Sequence, residues 1–100
     1  MTIMKPETRI VNKIKSLENK YKPNLIIEKN WGGPMSGVGR SDLSVIYNSI
    51  YYKIEVKTPD KEPSPSQQAY LEKWSRAGAI TGCVHSVEEF IKLVGLPALE

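Results

Sequence analysis

Apolar residues recur along this chain with two different periods. In KPETRIVNKIKSLENKYK, residues 5–22, Ile10, Ile14, Leu17 and Tyr21 fall at helical spacing and form one stripe. Pro6 suits the first helical position. NLIIEKN predicts a short strand over Leu25–Lys29, and WGGPMSGVGR reads as a glycine-rich loop. The stretch SDLSVIYNSIYYKIEVKT, residues 41–58, alternates as two strands do. PDKEPSPS is a proline-rich connection. SPSQQAYLEKWSRAG predicts a second helix, capped by Ser64 or Ser66 and stopped at Gly78. Tyr70, Leu71, Trp74 and Ala77 give that helix its apolar face. AITGCVH predicts a fourth strand. SVEEFIKLVG predicts a last short helix, with Ser86 and Glu89 spaced as a capping box and Gly95 as its stop. The order is α-β-β-β-α-β-α, and the last strand, following a helix, is placed to join the sheet by a crossover.

The two central strands carry an unusual polar face. With Asn48-Ser49 as a two-residue turn, Tyr47 faces Ile50, Val45 faces Tyr52 and Leu43 faces Ile54. Those residues and Val56 share an apolar face. The other face carries Asp42, Ser44, Ile46, Tyr51, Lys53, Glu55 and Lys57, and it sets Asp42 directly opposite Glu55. Opposed side chains begin about 4.5–5.5 Å apart, so two like charges repel there unless a positive group lies between them. Hard divalent ions take such carboxylate oxygens. An ion of that kind activates water and stabilises charge on a phosphoryl group. Lys57, two residues after Glu55, projects from the same face, where a lysine orients water, helps deprotonate it, or neutralises negative charge. The plain alternative is a loop-ending aspartate followed by solvated strand residues.

Glu7 sits on the apolar stripe of the first helix, where a carboxylate calls for a partner. The same position also suits the positive end of the helix dipole. Gln67 lies in the first turn of the second helix, on the face of Tyr70, Leu71 and Trp74, and it also fits a capping role. Gln68 is its neighbour and rival. GVGRSD is not a phosphate loop, because no Gly-x₄-Gly-Lys-Ser/Thr is present. The loop places Arg40 beside Asp42, within reach of a phosphate.

Composition narrows the picture only modestly. The chain has 100 residues, enough for one domain spanning 1–100. It is 40% hydrophobic and 25% charged, with a formal net charge of +3 and a pI of about 9.0. That basic bias permits a polyanionic partner without requiring one. No apolar run reaches membrane-spanning length, and MTIMKPETRI lacks the apolar core of a signal peptide, so a cytoplasmic setting is expected. Cys83 is the one cysteine and His85 the one histidine, which excludes an internal disulfide and a Cys/His zinc site and argues against a Cys–His catalytic pair.

Glu7 on a first helix, SD at 41–42, IEVKT at 54–58 and a glutamine on the next helix together resemble the PD-(D/E)XK nuclease superfamily. The nearest family is VRR-NUC, the virus-type replication-repair nuclease domain. There a glycine-containing loop precedes Asp-Leu, as in GVGRSDL. A Glu-x-Lys strand follows, then a helix with Gln, an aromatic residue three later and Gly eleven later, as in Gln67, Tyr70 and Gly78. The resemblance covers residues 5–93 and departs at Ser41, where the superfamily name has proline. It implies an α/β fold with a restriction-endonuclease-like core, a central mixed sheet flanked by helices. It implies Mg²⁺- or Mn²⁺-dependent phosphodiester hydrolysis, with Asp42, Glu55 and the Val56 backbone carbonyl as ligands. Lys57 would be the catalytic lysine, supported by Glu7 and Gln67. Arg40, Lys53, Lys61 and Arg76 are candidate DNA contacts. Small stand-alone members are phage or bacterial proteins, often homodimers acting on branched DNA such as four-way junctions. The competing expectations are a non-catalytic DNA-binding or assembly module and a hydrolase of small phosphates.

Overall fold

The computed structural model describes residues 6–30 and 42–98. Helix α1 (Pro6–Ser16) leads into a 3₁₀ turn (Leu17–Lys20). Strands β1 (Leu25–Lys29), β2 (Leu43–Tyr47) and β3 (Ile50–Val56) follow, then α2 (Pro65–Arg76), β4 (Ile80–Val84) and α3 (Val87–Val94). The strands form one sheet in the order β1-β2-β3-β4. The first three are antiparallel, and β4 lies parallel to β3 after the α2 crossover. The sheet is mixed and flanked by helices, as expected.

The hairpin register is the one read from the sequence: Leu43 faces Ile54, Val45 faces Tyr52 and Tyr47 faces Ile50. Asn48 and Ser49 both have positive φ, 49° and 73°. That twist matches the strands of a tight two-residue hairpin. The register puts Leu43, Val45, Tyr52, Ile54 and Val56 in the core with Leu25 and Ile27. Helices α1 and α3 cover this face through Val11, Ile14, Phe90 and Val94. Gly82 pairs with Ile54 on the same face. A Cβ on Gly82 would lie 2.9 Å from Leu93 Cδ2, so glycine lets α3 come close to β4.

Two details differ from the sequence expectation. The first helix tightens at Leu17 instead of running on to residue 22. Glu18 explains the change: its Oε2 accepts from the Ile27 N–H at 2.7 Å and its Oε1 from Lys15 Nζ at 2.7 Å, tying the helix end to β1. The apolar stripe of α1 centres on Val11 and Ile14, with Ile10 at its edge. At α2, Leu71 is the buried residue and Ala77 is an exposed C-cap.

Candidate active site

The polar face of β3 is covered by α2, so the charges that alternation places there are buried. Lys53 is 5% exposed and Glu55 1%. The ladder between β2 and β3 ends at the Leu43–Ile54 pair. One residue earlier, the Asp42 side chain takes over from backbone pairing: its Oδ2 accepts from the Val56 N–H at 2.8 Å. The Asp42 backbone carbonyl accepts from the Asn30 N–H at 2.8 Å. Asp42 is thereby fixed between β1 and β3, beside Glu55.

Glu55 Oε1 accepts from Gln67 Nε2 at 2.9 Å and lies 3.8 Å from Lys57 Nζ. Its Oε2 is fully buried, and no N–H or O–H donor among the described residues reaches it. Burial, first, and then the hydrogen bond with Asp42 that only a protonated carboxyl makes, push the Glu55 pKa far above the ordinary carboxylate range. The Asp42 charge and, more weakly, that of Glu7 push the same way, while Lys57 opposes them. Glu7 and Asp42 line one cleft of about 140 Å³ with Thr8, Val11, Lys29 and Asn30.

The predicted set Glu7, Asp42, Glu55, Lys57 and Gln67 therefore converges. Gln67 fills both roles read for it. Its Oε1 accepts from the Ser64 N–H at 2.8 Å while Ser64 Oγ accepts from the Gln67 N–H, completing a capping box. Its Nε2 meanwhile reaches Glu55. Gln68 instead donates to the Pro63 carbonyl on the exposed side, so Gln67 is the glutamine at the site. Val56 contributes its N–H to Asp42, and its side chain lies in the core.

The expected DNA contacts divide. Lys53 is a correction: it is not a surface cation. Its Nζ donates to Ser44 Oγ at 2.8 Å and sits 4.2 Å from the Trp74 ring centroid, with Tyr51 and Tyr70 at 5.5 and 5.8 Å. Tyr51 and Trp74 stack at 5.7 Å, so this cation fills an aromatic box. Lys61 is exposed. Arg76 is exposed and paired with Glu72. Arg40 lies outside the described residues.

The donor chemistry at Asp42 and Glu55 fits a hard divalent cation. Two carboxylates meet, one buried oxygen receives no donor from the described residues, and a positive charge there would relieve both conditions.

Sequence reasoning missed a second cluster. Glu62, Cys83 and His85 bring their ligand atoms within 4.8 Å of one another. Counting only Cys and His as donors hid it. Cys83 and His85 stand two apart on a strand direction and so share a face, which is a usable signal. Glu62 comes from a connection whose path no periodicity predicts. Glu89 forms only half of the expected capping box: its N–H donates to Ser86 Oγ, but its carboxylate turns to His85.

No family model matches the chain, and no curated protein matches it. Solved structures do. A protein described as "VRR_NUC domain" superposes with a TM-score of 0.73 at 24% identity, over 95% of this chain and 100% of its own. Another, "VRR_NUC domain protein", gives a TM-score of 0.73 at 14% identity, over 89% and 84%. The chain thus has the fold of VRR-NUC domains, the fold that its Asp42, Glu55–Lys57 and Gln67 motifs imply.

Proposed function

We propose that this protein is a Mg²⁺- or Mn²⁺-dependent DNA endonuclease. The observation that carries this reading is the buried Glu55 carboxyl group, held on one oxygen by Gln67 and Lys57 and, among the described residues, left without a donor on the other, beside Asp42. Glu55 keeps a proton beside Asp42 in the metal-free protein, and a divalent cation would take that proton's place between the two carboxylates. Asp42, Glu55 and the Val56 carbonyl are the ligands in this reading. When bound, a divalent cation supplies Lewis-acid stabilisation of the charge that develops on a phosphodiester. Lys57, with its side chain 18% exposed, is the positive group that faces substrate. It orients the attacking water and neutralises the developing oxyanion. Gln67 fixes the Glu55 rotamer, and Glu7 closes the cleft wall. Lys61, Arg76 and Arg40 contribute phosphate contacts.

The preferred substrate in this proposal is branched DNA such as a four-way junction, and the setting is the cytoplasm of a bacterial or phage-infected cell, in DNA repair. One chain of this size holds one such site, so paired incisions require a homodimer. Ile26 and Ile46 pair across β1 and β2 and are 53% and 40% exposed, which offers an apolar sheet surface for self-association. The rival is a DNA-binding module without turnover. A gel assay on plasmid, flapped and four-way-junction DNA, with and without Mg²⁺ or Mn²⁺, separates the two. Metal-dependent cleavage lost in Glu55→Gln is expected; retention of DNA without cleavage establishes the binding module.

A further inference from the structure

The Glu62–Cys83–His85 cluster adjoins the candidate active site through Cys83, the β4 partner of Glu55, and no step proposed above uses it. Its geometry raises a problem of charge. His85 Nδ1 lies 3.1 Å from Glu89 Oε1, and His85 Nε2 lies 3.1 Å from the Lys61 carbonyl oxygen. Both neighbours are acceptors. A neutral imidazole has one N–H and satisfies only one of them. The atoms next around Nε2 are also electron donors: Glu62 Oε1 at 3.8 Å and Cys83 Sγ at 3.9 Å. The pocket therefore calls for positive charge at Nε2, as a proton or as a metal ion.

Several features favour the ion. Bonds of about 2.0–2.3 Å at a tetrahedral centre set nitrogen, oxygen and sulfur donors roughly 3.3–3.7 Å apart, so the two spacings around Nε2, 3.8 and 3.9 Å, close with a shift of a few tenths of an ångström, and Glu62, an exposed side chain, swings in toward Cys83. The Glu89 carboxylate on Nδ1 fixes the tautomer whose Nε2 lone pair would ligate, the usual support of a metal-bound histidine, and an ion there would replace the Nε2 contact to the Lys61 carbonyl oxygen. Glu89 also accepts from the His85 backbone N–H at 3.1 Å, which holds it in place. A thiol among the donors selects against Mg²⁺ and Mn²⁺ and toward borderline ions.

We infer that Glu62, Cys83 and His85 form a site for a transition-metal ion of the Zn²⁺ class, separate from the Asp42–Glu55 carboxylates. Three side-chain donors leave the fourth position to the neighbouring Lys61 carbonyl oxygen or to water. Glu62 belongs to the connection between β3 and α2, and Cys83 to β4, where it pairs with Glu55. The ion ties that connection to β4, just ahead of the turn in which Gln67 reaches Glu55. Binding displaces the thiol proton, because the thiolate is the ligand.

The test is titration of the reduced full chain with Co²⁺ and Zn²⁺. Co²⁺ should produce a thiolate-to-cobalt charge-transfer band in the near ultraviolet, and excess Zn²⁺ should abolish it. Calorimetry should give one Zn²⁺ per chain at this site and a raised melting temperature. Cys83→Ser should lose the band, and Glu89→Gln should weaken Zn²⁺ binding by about 10–100-fold. Asp42→Asn should leave the band intact. Glu62→Gln changes an exposed side chain that cannot compromise the core, so its lowered affinity is readable even if Cys83→Ser folds poorly. Absence of the band in the unaltered protein, equal Zn²⁺ affinity in Glu62→Gln, or loss of the band in Asp42→Asn overturns the inference.

Discussion

Gln67 holds Glu55 from the first turn of α2: its Nε2 donates to Glu55 Oε1 at 2.9 Å while its Oε1 caps the helix through the Ser64 N–H. One side chain therefore couples helix capping to the rotamer of a buried carboxylate. Gln67→Ala should cost about 1–3 kcal/mol, from a lost cap and a lost bond to a buried carboxyl group. Gln67→Glu keeps the acceptor for Ser64 but adds a second acidic group beside the Glu55–Asp42 pair and removes the amide donor to Glu55. It should be at least as destabilising at neutral pH and should recover in acid. Gln68→Ala, on the exposed side, should stay within about 0.5 kcal/mol. Urea denaturation of the three variants decides; equal midpoints for the two alanine variants would detach Gln67 from Glu55.

Glu55 makes the metal-free protein pH-sensitive. Burial and Asp42 raise its pKa in the fold, so the native state keeps this proton to higher pH than the unfolded chain does. No stability is lost on this account below the ordinary carboxylate pKa. Stability falls as pH climbs from that value through the folded one, by about 1.4 kcal/mol for each unit between them. His85, raised mainly by its bond to Glu89, adds a loss of the same sign as pH passes its own raised value. Comparison with Glu55→Gln cancels the histidine contribution. That variant should be more stable than the unaltered protein at pH 8 without metal, with the two converging near pH 4. Melting curves across this range would show identical slopes if Glu55 ionised freely.

Much of the architecture was legible because alternation and turn chemistry agreed. Asn48-Ser49 fixed the register, the register opposed Asp42 to Glu55, and the helical spacing of Gln67, Tyr70 and Trp74 brought α2 over that face. The environment of each charge was not legible. Period-two alternation says which face Lys53 occupies, but not that Tyr51, Tyr70 and Trp74 enclose its ammonium. The meeting of Glu62 with Cys83 and His85 depends on the path of a proline-rich connection, which carries no periodic signal. The 3₁₀ turn at Leu17 depends on Glu18 finding the Ile27 N–H, a contact between separate elements.

The burial of Lys53 separates it from the exposed cations. Lys53→Met keeps the stem and removes the charge from the aromatic box. It should leave DNA affinity and its salt dependence unchanged while altering stability by about 1 kcal/mol, the scale of a cation–π contact. Lys61→Ala should weaken binding to all DNA sequences alike and reduce the slope of log affinity against log salt by about 1. Arg76 is held by Glu72, so Arg76→Ala should do less. Fluorescence anisotropy at several salt concentrations makes the comparison. A reduced salt slope in Lys53→Met would mean that the box opens to release its lysine onto DNA.

Lys57 and the carboxylates should separate under mutation. Asp42→Asn removes one of two facing negative charges. It should weaken Mn²⁺ binding by calorimetry and leave the circular-dichroism spectrum intact, because an amide oxygen still accepts from the Val56 N–H. Glu55→Gln should lose Mn²⁺ affinity and turnover together. Lysine offers protons and positive charge and no lone pair at neutral pH, so Lys57→Ala should bind Mn²⁺ as well as before, or slightly better with a neighbouring cation gone. Its single-turnover cleavage should nevertheless fall by about 10²–10⁴-fold, the range for a positioned acid–base group. DNA affinity should barely move, since one phosphate-directed charge among several carries little of the total. The distance of 3.8 Å between Lys57 Nζ and Glu55 Oε1 leaves the ammonium loosely held, free to turn toward a phosphate. If Lys57→Ala cleaved at the unaltered rate, the lysine would be only a counter-charge to Glu55, and the DNA-binding module without turnover would become the better reading.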